Sequence, residues 1–190
     1  MTISFQNFEH VRLEEAQLPR PTAAPAIFKR VFATAGRFKA SEVSPAAADA
    51  ACLKDLLRPS DLVTAKALVV DGLERRACVT PNCASGESEN IDWALSPRTT
   101  YQRLDGTLVG TTNDAGLLML PVNAPVGTDA IHYWTGLQDD WTSGSSCDGW
   151  SSSDWTKFGH SGAALATDSG LIFQIQQYCN VEQGLLCVEQ

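Results

Sequence analysis

Apolar positions along the N-terminal half predict a first strand and one well-defined helix. Residues 27–34 are mainly apolar and, although their alternation is imperfect, they fit a short strand. Between Ser44 and Leu57, apolar side chains recur every three or four residues, which predicts an amphipathic helix. Ser44 is a favourable N-cap, Pro45 suits the first helical position, and the Arg-Pro pair after Leu57 should end the helix. The apolar run in residues 60–72 fits either a second helix or a helix that leads into a strand.

The second half of the chain is dominated by strand and turn signals. An Asp-Gly pair within residues 101–112 lies between alternating residues and predicts a β-hairpin. Residues 131–137 fit a central strand that ends at a glycine. Residues 170–179 and 184–188 predict a closing pair of strands.

Together these elements predict an α+β fold, with one or two helices packed on a twisted, mainly antiparallel sheet. A chain of 190 residues has the size of a single domain, which we place at residues 27–190. Three prolines near the end of residues 1–26 predict that this segment is an extended arm or linker.

The charge of the chain argues against nucleic acid as a partner. Its formal net charge is −8, and its 14 lysine and arginine residues cluster only weakly. Proteins that bind nucleic acid normally present a basic face, because neutralising phosphates supplies much of their affinity. No run of the chain approaches the ~18 apolar residues that a membrane-spanning helix needs, so no membrane span is predicted.

Six cysteines predict disulfides. Their number is even, the sequence has no Cys-x-x-Cys motif, and none of the three histidines lies at ligand spacing from a cysteine. Free buried thiols and a metal site are the alternatives, and we predict neither a metal nor a cofactor. Disulfides favour a secreted or cell-surface protein. The first 20 residues lack the basic and apolar regions of a signal peptide, so either a signal was trimmed or the protein is cytosolic or exported differently.

Residues 138–162 are rich in serine, glycine, aspartate and tryptophan, a composition typical of turns that carry large aromatic side chains. Trp134 and Trp150 fit the core. Trp141 and Trp155 fit either the core or an exposed surface, where a tryptophan would give a large contact area to a ligand. A solvated acidic loop is the alternative to a cation-binding one. The predicted binding residues are Trp141, Trp155, Asp139, Asp140 and Asp154.

Short motifs in the chain resemble one known family. The run from Tyr133 to Leu137 (Tyr-Trp-Thr-Gly-Leu) is similar to the Trp-x-Gly-Leu strand of C-type-lectin-like domains. Cys-Asp-Gly-Trp at residues 147–150, the later cysteines, and Asp-Ala-Ala-Cys at residues 49–52 resemble a bacterial endostatin-like family that includes surface adhesins.

The resemblance covers roughly residues 28–188 and implies an endostatin-like, C-type-lectin-like fold with long, disulfide-pinned loops. It also implies three cysteine pairs, which are Cys52 with Cys187, Cys147 with Cys179, and Cys78 with Cys83. The residue pattern departs from calcium-dependent lectins, because Thr-Pro-Asn at residues 80–82 lacks the carboxylate of their sugar-binding loop and no Trp-Asn-Asp strand occurs. The zinc site of endostatin is not expected either, because no histidine cluster lies near the start of the domain.

No catalytic site is predicted. His160 and Ser161 are adjacent in a glycine-rich stretch, and no Gly-x-Ser-x-Gly or phosphate-binding glycine motif occurs. We therefore expect a non-catalytic secreted or cell-surface binding domain whose partner is a protein or glycan on another cell or matrix. The first alternative is a structural or assembly subunit of a surface appendage such as a pilus tip, which would contact neighbouring subunits through residues 1–26. The second alternative is an enzyme of unknown type.

Overall fold

The computed structural model describes residues 28–190, so the arm predicted over residues 1–26 lies outside the described residues. The described chain forms two sheets and two short helices, connected by long loops. In chain order the elements are β1 (Phe28–Ala33), α1 (Pro45–Cys52), β2 (Ala65–Ala67), β3 (Thr100–Gln102), β4 (Leu108–Thr111), β5 (His132–Trp134), α2 (Cys147–Trp150), β6 (Phe158–Ala163), β7 (Ile175–Tyr178) and β8 (Leu186–Glu189).

The larger sheet has five strands in the order β2-β8-β1-β3-β4, and the smaller sheet has three in the order β5-β6-β7. All pairings are antiparallel except that of β1 with β3, which is parallel. The predicted α+β class, with few helices and mainly antiparallel strands, is confirmed. Within the described residues, no helix is both long enough and apolar enough to cross a membrane.

The first strand and the central hairpin form where the sequence predicts them. Strands β3 and β4 pair antiparallel and are joined by the turn that contains the Asp-Gly pair. In that turn the Gly106 amide donates to the Arg103 carbonyl oxygen at 3.0 Å, and the Arg103 amide donates to the Thr107 carbonyl oxygen at 2.9 Å. Gly106 has a φ of +83°, a conformation that glycine adopts without steric cost.

The first helix is shorter than predicted. It ends at Cys52 rather than at residue 57, and Leu56 is 92% exposed. The cause is a tertiary contact, because the Asp55 carboxylate accepts hydrogen bonds from the backbone amides of Ala35 at 3.2 Å and Gly36 at 3.0 Å. These bonds hold the chain after Cys52 against the loop that follows β1, which a continued helix would not allow.

Three further predictions are corrected by the structure. The Ser44 side chain makes no capping hydrogen bond, although Pro45 does begin the helix. Residues 60–72 contain the three-residue strand β2 and no helix. Strands β7 and β8 are not a closing pair, because β7 belongs to the smaller sheet and β8 lies between β2 and β1 in the larger one.

Two tryptophans predicted to be core residues are buried between the sheets and α2. The rings of Trp134 and Trp150 meet edge to face with their centroids 5.7 Å apart. Each indole N–H has a partner: Trp134 donates to the Phe38 carbonyl oxygen at 2.9 Å, and Trp150 donates to the Val70 carbonyl oxygen at 2.8 Å. Buried indoles normally require such partners, and both of these N–H groups have one.

All six cysteines form disulfides, in the pairs that the family resemblance implies. Cys52–Cys187 joins α1 to β8, Cys147–Cys179 joins α2 to the residue after β7, and Cys78–Cys83 joins two cysteines only five positions apart. No cysteine is free. The predicted disulfides are therefore confirmed.

Candidate binding surface

Trp141, predicted to belong to an exposed aromatic surface, lies in the core. Its side chain is only 2% exposed, and its ring meets the ring of Trp93 edge to face at a centroid distance of 6.1 Å. The backbone explains this orientation: Trp141 has a φ of +68°, and its amide closes a tight turn onto the Gln138 carbonyl oxygen at 3.1 Å. The prediction of an exposed Trp141 is wrong.

The predicted acidic residues lie at separate turns and do not converge. The Asp140 carboxylate accepts from both the amide and the hydroxyl of Thr142, at 3.0 and 2.6 Å. The Asp154 carboxylate accepts in the same way from the amide and the hydroxyl of Thr156, both at 2.8 Å, and these bonds lower the pKa of Asp154. Asp139 is exposed. Among residues 28–190 no group of three acidic, histidine or cysteine side chains is arranged to hold a metal ion.

An exposed aromatic surface does exist, next to the turn that leads into β6. Trp155 is 70% exposed at that turn. Phe158, at the start of β6, faces Tyr178 of β7 across the sheet, and the two rings lie 4.6 Å apart between centroids. Both rings are partly open to solvent, at 40% and 48% exposure. We call Trp155, Phe158 and Tyr178 the aromatic face; its Phe158–Tyr178 pair was not predicted from the sequence.

A polar surface pocket of about 400 Å³ adjoins the aromatic face, and Phe158 forms part of its wall. The Lys157 ammonium and the Asp148 carboxylate form an ion pair beside it, which raises the pKa of Lys157. We call this cavity the β6 pocket. Its lining residues are Gly144, Ser145, Ser146, Cys147, Asp148, Lys157 and Phe158.

One side of the β6 pocket is built from a turn of left-handed helix. The four residues of α2 all have positive φ, at 51° for Cys147, 56° for Asp148, 63° for Gly149 and 63° for Trp150. The Trp150 amide donates to the Ser146 carbonyl oxygen at 2.6 Å, as in a helical turn. This conformation costs roughly 1–2 kcal/mol for each residue that carries a Cβ, and a run of consecutive residues in it is unusual.

Several restraints hold this left-handed turn in place. The disulfide to Cys179 fixes its first residue, the Trp150 indole is bonded to the Val70 carbonyl oxygen, and the Ser146 hydroxyl accepts from the Gly149 amide at 3.2 Å. Strained backbone persists only where the surroundings enforce it, and it is concentrated at functional sites. The coincidence of strain, a polar pocket and exposed aromatic rings marks this region as the candidate site.

Two other cavities fit a binding site less well. One of them, of about 700 Å³, lies between α1 and the loop after β1, and its lining includes the small apolar residues Ala47, Ala50 and Ala51. A cavity of about 440 Å³ includes Arg76 and Asp140, but the Asp140 carboxylate is already bonded to Thr142. Neither cavity combines exposed aromatic rings with a strained backbone.

His160 and Ser161 do not form a catalytic pair. Adjacent residues of a strand point to opposite faces, and these two belong to β6. The His160 ring is 5% exposed, its Nδ1 lies 2.8 Å from the Leu137 carbonyl oxygen, and its Nε2 lies 3.1 Å from the Gln176 amide nitrogen. Burial lowers the pKa of His160. The ring is therefore occupied by structural contacts.

A comparison with known families shows the family to which the chain belongs. Residues 36–167 match the family described as "Protein of unknown function (DUF1554)". The chain belongs to this family. A search of the curated proteins found no match. The residues that match the DUF1554 family contain the left-handed turn, Trp155 and Phe158, whereas Tyr178 and the disulfide partner Cys179 follow them.

Proposed function

We propose that this DUF1554 protein is a non-catalytic recognition domain that binds a protein or glycan through the aromatic face and the β6 pocket. The observation that carries the proposal is the left-handed turn, which is held in a costly conformation beside exposed aromatic rings. Tryptophan and tyrosine side chains contribute strongly to binding surfaces because they bring a large contact area with few rotatable bonds.

We further propose that the fold is endostatin-like and related to C-type lectins. The three cysteine pairs agree with those that the sequence resemblance implies, and the architecture of few helices on mainly antiparallel sheets is compatible with it. The binding itself would not use calcium of the lectin type, because Asp140 and Asp154 lie at separate turns and each is bonded to a nearby threonine.

The disulfides also support a proposal on localisation. Cysteine pairs persist in oxidising compartments and are rare in the cytosol, so we assign the domain to the cell surface or the extracellular space. The alternative of an assembly subunit depends on residues 1–26, which lie outside the described residues. No contact among residues 28–190 favours an enzyme over a binding domain.

Binding of the oxidised protein to glycan and extracellular-matrix arrays, in calcium and in a chelator, tests the proposal. We expect binding that the chelator does not change. Trp155→Ala and Phe158→Ala should each weaken it about tenfold or more, since each removes a hot-spot-sized side chain.

Phe28→Ala is the matched control, because Phe28 is also exposed but lies in the larger sheet. Equal binding by the unaltered protein and by the variants at Trp155 and Phe158 would show that the aromatic face is not the binding surface. Binding lost in the chelator would show that a cation takes part after all.

A further inference from the structure

The residues that line the β6 pocket differ from those at the centre of a typical protein–protein interface. Its lining combines one aromatic residue, Phe158, with the polar residues Ser145, Ser146, Asp148 and Lys157. The centre of a protein interface is usually apolar and poor in charge, with polar groups at its rim. Here polar residues form most of the pocket, Phe158 is the one aromatic residue of its wall, and Trp155 and Tyr178 lie outside its lining.

We infer that the β6 pocket binds a neutral sugar residue, with one face of the pyranose ring stacked on Phe158. This inference rests on the proposed function and names the ligand class of the same site. A pyranose has an apolar C–H face, which packs on the negative face of an aromatic ring, and a rim of hydroxyls that donate and accept hydrogen bonds. The pocket offers a partner for each side of such a molecule.

The size of the pocket fits this ligand class. Its volume of about 400 Å³ lies within the ~300–1,000 Å³ range of small-molecule sites. It therefore has room for one or two sugar rings. The Tyr178 ring, which lies against that of Phe158, extends the apolar surface beyond the pocket for a longer glycan.

The charges around the pocket favour a neutral sugar over an acidic or sulfated one. Among the described residues that line it, the only cation is Lys157, which is paired with Asp148 and so presents no unpaired positive charge to a ligand. The chain as a whole carries a net charge of −8, which repels anionic polysaccharides. Recognition would therefore depend on stacking and hydroxyl contacts rather than on charge.

The rigidity of the pocket fits weak, specific recognition of this kind. Sugar hydroxyls are well solvated, so a site gains affinity only if its own groups are already in place and lose little freedom on binding. The left-handed turn fixes Asp148 and the backbone around it, and the disulfide to Cys179 anchors that turn. The strained conformation of α2 is therefore already in place before the ligand binds.

Saturation-transfer NMR and amide chemical shifts of the oxidised chain test the inference with free sugars as probes. The probes are glucose, galactose, mannose, N-acetylglucosamine and N-acetylgalactosamine, with glucuronic acid as the charged comparison. We expect at least one neutral sugar to shift amides within residues 144–148 and 157–158. Phe158→Ala should weaken that binding about tenfold, Phe158→Tyr should retain it, and Ser145→Ala should weaken it severalfold, whereas Phe28→Ala should leave it unchanged.

Absence of any such shift with all five neutral sugars would overturn the inference, as would sugar binding that survives in the Phe158→Ala variant. Tighter binding of glucuronic acid than of any neutral sugar would overturn the assignment of a neutral ligand. Thermal unfolding of each variant shows whether it is folded. If the Phe158→Ala variant does not fold, Phe158→Tyr and Ser145→Ala still test the site.

A second experiment separates this inference from the proposed function. The same variants are measured against N- and O-glycosylated serum glycoproteins and against their enzymatically deglycosylated forms. If both forms bind equally and Phe158→Ala abolishes both, the ligand is a protein surface, and the sugar inference fails while the proposed function stands. If neither Trp155→Ala nor Phe158→Ala changes binding to either form, both fail.

Discussion

Gly136 shows how closely single positions of this chain are packed. It lies two residues after the end of β5, in the Tyr-Trp-Thr-Gly-Leu motif, with a φ of +67°. A Cβ built at this position would lie 2.4 Å from the Val70 carbonyl oxygen and 2.9 Å from the Trp150 ring. Only glycine satisfies both the backbone conformation and the space, so this residue allows the chain to pass close to the core beneath α2.

Gly136→Ala should therefore destabilise the fold by about 2–5 kcal/mol, the sum of backbone strain and steric overlap. Urea unfolding of the oxidised protein measures the change. Gly106→Ala is the control, because Gly106 also has a positive φ but a Cβ at its position would have no atom within 4 Å. It should cost only the strain, about 1–2 kcal/mol. Equal losses in the two variants would contradict the packing argument.

A single residue, His160, also makes the stability of the fold depend on pH. Burial lowers its pKa below the ordinary value of 6.5, and the hydrogen bond with the Leu137 carbonyl oxygen opposes this only in part. The unfolded chain therefore takes up a proton at a higher pH than the folded chain. The contribution of His160 to the free energy of unfolding is fully present above pH 6.5 and is lost as the pH falls through the folded pKa.

We expect the unaltered protein to lose stability in urea between pH 7.5 and 5.5 more steeply than the His160→Gln variant, whose side chain does not titrate. Parallel declines in the two proteins would assign the pH dependence to other groups. The comparison is of slopes, so a uniform loss of stability in the variant does not affect it.

At the scale of elements, α1 is fixed by a buried charge rather than by its caps. Arg75, which is 1% exposed, donates to both carboxylate oxygens of Asp49 in α1, at 2.8 and 2.7 Å. The same guanidinium donates to the Asp92 carboxylate at 2.5 Å and to the Ala67 carbonyl oxygen at 3.0 Å. One side chain thus joins the helix, strand β2 and the loop before β3.

Arg75→Ala should destabilise the fold by about 3–5 kcal/mol, because it leaves the largely buried Asp49 carboxylate and the Ala67 carbonyl oxygen without this partner. Arg98→Ala is the control, since the ion pair of Arg98 with Asp114 is exposed on both sides and long, at 3.6 Å. Such a pair is worth no more than about 1 kcal/mol. Chemical denaturation of both variants gives the two values, and a small effect at Arg75 would contradict the role assigned to it.

Local sequence patterns predicted the elements whose cause is local. The Asp-Gly turn specifies the β3–β4 hairpin, and the apolar run of β1 specifies a strand. The end of α1 depends on Asp55 reaching amides 19 and 20 residues earlier in the chain, and β8 pairs with strands far from it in sequence. The periodicity of apolar residues contains no information on such contacts. The predicted length of α1 and the predicted partner of β8 were therefore wrong.

The candidate site was predicted only in part, for a related reason. Of the two tryptophans proposed for binding, Trp155 is exposed, whereas Trp141 lies in the core and has a left-handed backbone. Asp-Gly in Cys-Asp-Gly-Trp is compatible with positive φ, yet nothing local in Cys147 or Trp150 indicates it. That conformation is imposed by a disulfide and by a core hydrogen bond, which appear only when the chain has folded.

At the scale of the whole molecule, the three disulfides differ in what they restrain. The linked cysteines are 135, 5 and 32 residues apart in Cys52–Cys187, Cys78–Cys83 and Cys147–Cys179. Closing a longer loop removes more conformational freedom from the unfolded chain. The pair with the longest separation also joins α1 to the larger sheet, so it restrains nearly the whole domain.

Replacing each pair by two alanines should destabilise the protein by about 5 kcal/mol for Cys52–Cys187, about 4 for Cys147–Cys179 and about 2 for Cys78–Cys83. Urea unfolding of the three double variants under non-reducing conditions measures this order. A larger loss for Cys78–Cys83 than for Cys52–Cys187 would show that native contacts, not loop closure, dominate the effect.

The pairing of β1 with β8 has a mechanical consequence. The two strands run antiparallel, with Val31 opposite Val188, so the start and the end of the described fold lie side by side. Tension between Phe28 and Gln190 would separate them one hydrogen bond at a time, until the pull reaches Cys187 and passes through sulfur to Cys52. Only residues 28–51 and 188–190 could then lengthen. The β6 pocket lies inside the closed covalent ring, so tension applied between these two ends would pass through the disulfide and would not reach the pocket.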